Sequence, residues 1–136
     1  MTISGGRKFT MVFDALQERG FAIDAMPDWT PYEYQVPPEG DWSCWVLLGG
    51  RGAGKTEAGA RYVLDHLRAY GEKARVGIGA PTYGDVRDVC AEGVSGLLTM
   101  APHEFDYNRS TSSARHSGGG YVKFMSAEEP ARWNGP

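Results

Sequence analysis

Eight residues, Gly49-Gly-Arg-Gly-Ala-Gly-Lys-Thr56, carry the spacing G-x-x-x-x-G-K-[ST], and each fixed position answers a separate need of a phosphate ligand. Gly49, Gly50, Gly52 and Gly54 have no Cβ, so the backbone N–H groups there and at Ala53 can turn inward as an anion-binding nest. Lys55 brings a point charge to β- and γ-phosphates, and the Thr56 hydroxyl is a ligand for Mg²⁺. A helix starting near Gly54 adds its partly positive N-terminus to the same place. Binding of a polyphosphate together with Mg²⁺ is the chemistry expected of this stretch.

A chain with 19 glycines among 136 residues meets such a pattern by chance more easily than most, so the flanking elements decide. The pattern has meaning only between a strand and a helix. Residues 44–48 form a continuous apolar run, which predicts a strand buried on both faces. After the loop, Ala60, Val63, Leu64 and Leu67 recur at helical spacing, and the helix is expected to end at Tyr70 and Gly71. Residues 75–80 read as a second strand, giving a strand–helix–strand unit and an expected parallel sheet. Thr82, just past that strand, faces either the ligand crevice or the next helix as its cap. That helix is expected over residues 85–92, broken by Gly93 and Gly96, with a short turn at Leu97 and Leu98. A β-hairpin from Arg109 to Ser126 is predicted by two alternating runs, 109–116 and 121–126, around Ser117-Gly-Gly-Gly120. Its Arg109, Arg115 and Lys123 mark a solvated face or, as the alternative, a DNA contact.

Upstream, Phe9, Val12, Phe13 and Leu16 followed by Gly20 predict a short amphipathic helix from Phe9 to Arg19. Residues 26–41 hold five prolines and glycines with Trp29, Tyr32 and Tyr34, an extended aromatic connector. Its aromatics could stack on a nucleotide base whose edge Gln35 reads, or could simply pack the connector onto the domain. The formal charge of −3 is uneven: residues 1–48 carry 3 basic and 7 acidic side chains, residues 49–136 carry 11 and 10. No block is basic enough to announce nucleic-acid binding. Cys44 and Cys90 lack metal or redox spacing and read as reduced packing residues. His66, His103 and His116 have no ligand spacing, no G-x-S-x-G elbow appears, and no apolar run approaches the length of a membrane span.

Taken together, Gln35-Val-Pro-Pro38, the run from Gly40-Asp-Trp-Ser-Cys-Trp-Val-Leu-Leu48 through the loop to Ala60, Ala80-Pro-Thr82, Asp85-Val-Arg-Asp-Val89, Glu92-Gly93, Ser95-Gly-Leu-Leu98 and Phe124-Met-Ser-Ala-Glu-Glu-Pro130 resemble the large terminase subunit of tailed bacteriophages and gene-transfer particles. The resemblance covers most of residues 29–136. It implies an α/β P-loop NTPase with a parallel sheet core, and an ATPase that drives double-stranded DNA into a procapsid. By matching position, Lys55 would hold the β- and γ-phosphates, Thr56 the Mg²⁺, and Arg51 would sense or stabilise the γ-phosphate; Gln35 would lie near the adenine. Implied partners are double-stranded DNA, the portal protein and the small terminase subunit, with a homo-oligomeric ring at the procapsid in the host cytoplasm and no membrane. Glu57 departs from the family, where this position is often basic.

A motor of this kind also needs an apolar strand ending in a metal-binding Asp and a water-activating Glu. Residues 121–129 are interrupted by Lys123 and Ser126, and no Asp precedes Glu128 and Glu129. They read as a hairpin strand and loop, so the second catalytic motif is expected beyond Pro136. The expected organisation is therefore a helix and connector over 1–41 and the N-terminal part of an ATPase domain over 42–136, poor in hydrolysis by itself. Two readings from other classes stand beside it: a stand-alone P-loop kinase and a nucleotide-dependent interaction module.

Overall fold

The structure, a computed structural model, describes residues 2–3 and 29–130. The helix predicted from Phe9 to Arg19 lies outside the described residues. Among the described residues there are two sheets: a two-stranded pair of β1 (Thr2–Ile3) with β2 (Trp45–Val46), and a four-stranded sheet. The latter runs β3 (Arg75–Ala80), β6 (Tyr121–Ser126), β5 (Ser113–His116), β4 (Phe105–Asn108) across its width.

Helix α1 (Lys55–Tyr70) shares its buried face with this sheet. Its Ala60, Leu64 and Leu67 join Val122 and Phe124 of β6 and Ala114 of β5 in one core. Leu67 and Val122 are fully buried, and each such side chain contributes about 1.5–3 kcal/mol of transfer free energy. The helix stops where the sequence predicts: Gly71 has φ 51°, a left-handed conformation open to glycine, and its N–H donates to Leu67 O. Gly120 of the β5–β6 turn sits against this end, where a Cβ would stand 2.7 Å from Leu67 Cδ2.

The predicted parallel sheet is replaced by a mixed one. Only β3 and β6 are parallel, in register from Arg75 opposite Tyr121 to Ala80 opposite Ser126; β6–β5 and β5–β4 are antiparallel. Connection length decides this: short turns force antiparallel neighbours, and β3 and β6 alone are joined by a long crossover. The hairpin is present, but its first arm starts at Ser113, because residues 109–112 turn the chain back from β4. There Ser112 takes φ 48°, and the Thr111 N–H donates to Asn108 Oδ1 at 3.2 Å.

A second correction concerns residues 44–48. The strand is only Trp45–Val46, it lies outside the four-stranded sheet, and just Leu47 of the run is buried, while Leu48 is 83% exposed. Among the described residues this strand pairs with Thr2–Ile3 alone. Cys44 is likewise exposed and is no packing residue.

After β3, Thr82 caps α2 (Tyr83–Asp85): its Oγ1 accepts from the Asp85 N–H at 3.1 Å and donates to Asp85 Oδ2 at 2.9 Å. The chain then widens into a π-helical turn, Val86–Ala91, closed by Glu92 N–H donating to Arg87 O at 2.8 Å. The wide turn buries Val86 and Ala91 and leaves Arg87, Asp88 and Val89 outside. Helix α3 (Leu97–Met100) follows and places Leu97 in the core. Beyond it, Glu104 is the centre of a polar cluster: Arg68 binds both its oxygens and His116 Nε2 lies 2.9 Å from Oε2. The Gly118 N–H donates to His116 Nδ1, so the ring proton sits on Nε2 and is directed at the carboxylate. The Arg68 bond first, and His116 second, hold Glu104 below the usual carboxylate range.

Candidate functional site

Residues 49–54 leave β2 as a loop and return as the first turn of α1. Gly52 and Gly54 take φ 77° and 69°, the left-handed region where a side chain would be strained. Gly50 and Gly52 have open space where a Cβ would stand. The loop closes with the Ala53 N–H on Gly50 O at 3.4 Å, and the helix opens with the Ala58 N–H on Gly54 O at 3.0 Å. Lys55 folds back over the loop, its Nζ donating to Gly49 O at 2.8 Å and Gly50 O at 2.6 Å. Lysine, glycine turns and a helix N-terminus are thus gathered within one loop.

This loop forms one wall of a cavity of about 530 Å³, lined by Arg51, Gly52, Ala53, Gly54, Lys55 and Thr56. The volume lies within the usual range for a small-molecule site. Glu57 borders it too, but turns to Arg61 four residues on, 2.9 Å away, which accounts for an acid in a position the resemblance makes basic. The opposite wall comes from the π-helical turn and the loop after it: Asp88, Val89, Gly93, Val94 and Ser95. Sequence reasoning did not assign these residues to the site. They lie more than thirty positions from the loop, and the runs 85–89, 92–93 and 95–98 pointed to the family without pointing to the cavity. Gly93 is required there, since a Cβ would meet Asp88 O and Val89 O at 2.7 Å. Asp88 pairs with Arg87 at 2.6 Å, and that hydrogen bond lowers its carboxyl below the usual range.

The connector packs onto this unit. Trp29 lies under the Arg61 guanidinium, 4.5 Å from its centroid, and Trp42 contacts Trp45 and Tyr62. Tyr32 and Tyr34 stack on one another at 5.5 Å and stay exposed. Gln35 is buried in a short 3₁₀ turn, Glu33–Gln35. Its Nε2 donates to Gly54 O at 3.2 Å and Ala53 O at 3.4 Å, and its Oε1 accepts from the Tyr32 N–H at 2.9 Å.

The remaining candidates are dispersed. Arg109 is held by both oxygens of Glu92, Lys123 donates to Thr111 O, and Arg115 lies exposed on β5. Glu128 and Glu129 follow β6 in a turn in which Ser126 Oγ accepts from the Glu128 N–H at 3.1 Å; neither lines the cavity. Among the described residues no group of three His, Cys, Asp or Glu could hold a metal, and no helix is long and apolar enough to cross a membrane.

A glycine loop that runs into a helix and faces a cavity thus stands beside the mixed sheet of an α/β chain. A protein-family profile described as terminase large subunit, T4likevirus-type, N-terminal, matches residues 46–136, two-thirds of the chain, and the chain belongs to that family. Membership associates it with phage DNA packaging. No curated protein and no solved structure matches it.

Proposed function

We propose that the chain is the ATP-binding portion of a DNA-packaging motor, in which ATP hydrolysis drives double-stranded DNA into a procapsid. One observation carries this reading: Lys55 Nζ, two left-handed glycines and the N-terminus of α1 border a single cavity of nucleotide-compatible size. The Lys55 ammonium would exchange its bonds to Gly49 O and Gly50 O for phosphate oxygens. Arg51, exposed at the cavity wall, would stabilise charge developing on the outermost phosphate. Thr56 would supply a hydroxyl to Mg²⁺, whose oxygen-rich shell suits that hydroxyl, phosphates and water; the ion would neutralise phosphate charge when bound. The exposed Tyr32–Tyr34 stack offers an aromatic face for a base.

Turnover needs more. The acids lining the cavity, Glu57 and Asp88, are each tied to an arginine, so neither is poised to take a proton from water. A metal-binding Asp and general-base Glu supplied from elsewhere would complete the site. The portal protein, the small terminase subunit and further copies of the chain in a ring are the partners this reading implies, and the infected host cytoplasm is its place. A kinase reading would use Arg109 and Arg115 in a lid, but Glu92 already occupies the Arg109 guanidinium and Arg115 lies on β5 of the hairpin.

Binding of a triphosphate analogue and of the bare nucleoside to Lys55→Ala tests the proposal. Deleting a charge-assisted phosphate contact should weaken the triphosphate by about 10- to 100-fold and leave the nucleoside unchanged. Equal triphosphate binding by variant and parent would remove the assignment.

A further inference from the structure

Gln35 is 5% exposed and stands behind the glycine loop, outside the set of residues that line the cavity. Its amide is turned to the backbone. Nε2 donates to the loop carbonyls Gly54 O and Ala53 O, and Oε1 accepts from the Tyr32 N–H. Only one amide orientation satisfies this, because the flipped one would set oxygen against two carbonyl oxygens and nitrogen against an N–H. Gly54 O is also the acceptor of the first α1 hydrogen bond, from the Ala58 N–H. Gln35 therefore grips the residue at which loop becomes helix. The fit is close: a Cβ on Gly54 would lie 2.3 Å from Gln35 Nε2. The Tyr34 hydroxyl adds a second bond to Ala53 O at 3.2 Å.

We propose that Gln35 is a positioning residue that clamps the glycine loop from behind, so that affinity for a polyphosphate depends on it whatever the base. The inference rests on the reading of the loop as a phosphate site. It differs from a base-reading role, in which the amide would have to leave Ala53 and Gly54 to reach a ligand. A clamp acts through loop shape and is blind to the base; a reader acts on the base and is blind to the phosphates.

Calorimetric titration of the full chain with Mg²⁺ and three probes, inorganic tripolyphosphate, ATP and GTP, separates the two. Gln35→Ala should weaken all three by a similar factor, about tenfold for the loss of one to two hydrogen bonds, and keep the ATP-to-GTP ratio. Gln35→Glu keeps the shape and the bond from Tyr32 but turns a carboxylate onto two carbonyls. It should bind tripolyphosphate poorly at pH 8 and recover toward the parent at pH 5.5, where a protonated carboxyl regains a donor; affinities are compared with the parent at each pH. This second variant carries the test if Gln35→Ala does not fold. Unchanged tripolyphosphate affinity in Gln35→Ala with a lost preference between ATP and GTP overturns the clamp, as does a pH-independent Gln35→Glu. A parent that binds no tripolyphosphate overturns the phosphate-site reading itself, and does so before any variant is made.

Discussion

Asp65, on the flank of α1, shows how a single side chain sets a pH dependence. Burial pushes its carboxyl up to about 6, and the Arg68 and Arg61 guanidinium groups oppose this only in part. The folded chain thus binds this proton more tightly than the unfolded chain, whose value is 3.8. Stability from this group is fully present below about pH 4, falls as pH rises through the interval to about 6, and stays reduced above it. Asp65→Asn should therefore raise the melting temperature at pH 8, by a free energy on the order of 2 kcal/mol, and change it little at pH 4. Glu104 works in the opposite sense: its lowered value adds stability above pH 4.5 that disappears as pH falls through the folded value. At this scale the sequence was legible where spacing encodes chemistry, as from Gly49 to Thr56. It gave Asp88 and Ser95 no place in the site, because a cavity wall built from a distant turn leaves no periodic signal that ties it to the loop. Gln35 is marked in the sequence as a polar residue near the loop, but which atoms its amide meets depends on how the connector folds back on residues 53 and 54.

Elements were legible in proportion to their length and their caps. Helix α1 announces itself by a four-residue apolar repeat between Gly54 and Gly71, and both ends fall at those glycines. Strand β4 escaped notice because four residues, Phe-Asp-Tyr-Asn, hold too little alternation to stand out. Residues 44–48 were misjudged for a different reason: apolarity states that a segment can be buried, and says nothing of which neighbour covers it. The junction of loop and helix yields a prediction at this level. Gly54→Ala places a methyl group against Gln35 Nε2 and forces a left-handed conformation on alanine, at a cost of about 1–2 kcal/mol for the backbone alone. Its denaturant midpoint should drop, and the drop should be smaller in a Gln35→Ala background, where the amide is gone. Additive losses would show that the two residues do not press on one another.

For the molecule as a whole, alternating apolar positions foretold an α/β architecture, while the mixed order of the sheet had to wait for pairing to be seen. The parallel pair β3 and β6 has a mechanical implication. Where the two strands end, they are laced together: the Ala127 N–H donates to Ala80 O at 2.9 Å and Ser126 Oγ donates to Pro81 O at 3.2 Å. One residue past Pro81, Thr82 caps the helix whose widened turn forms the far wall of the cavity. Amide exchange at Ala127 and Asp85 should therefore slow together when a triphosphate analogue binds, and slowing at Asp85 alone would show that the lacing carries nothing. A pull on the chain just after β6 would meet these two bonds together with the β3–β6 ladder, one residue before Thr82, so load applied there would reach the cavity as a drawstring reaches the mouth of a bag.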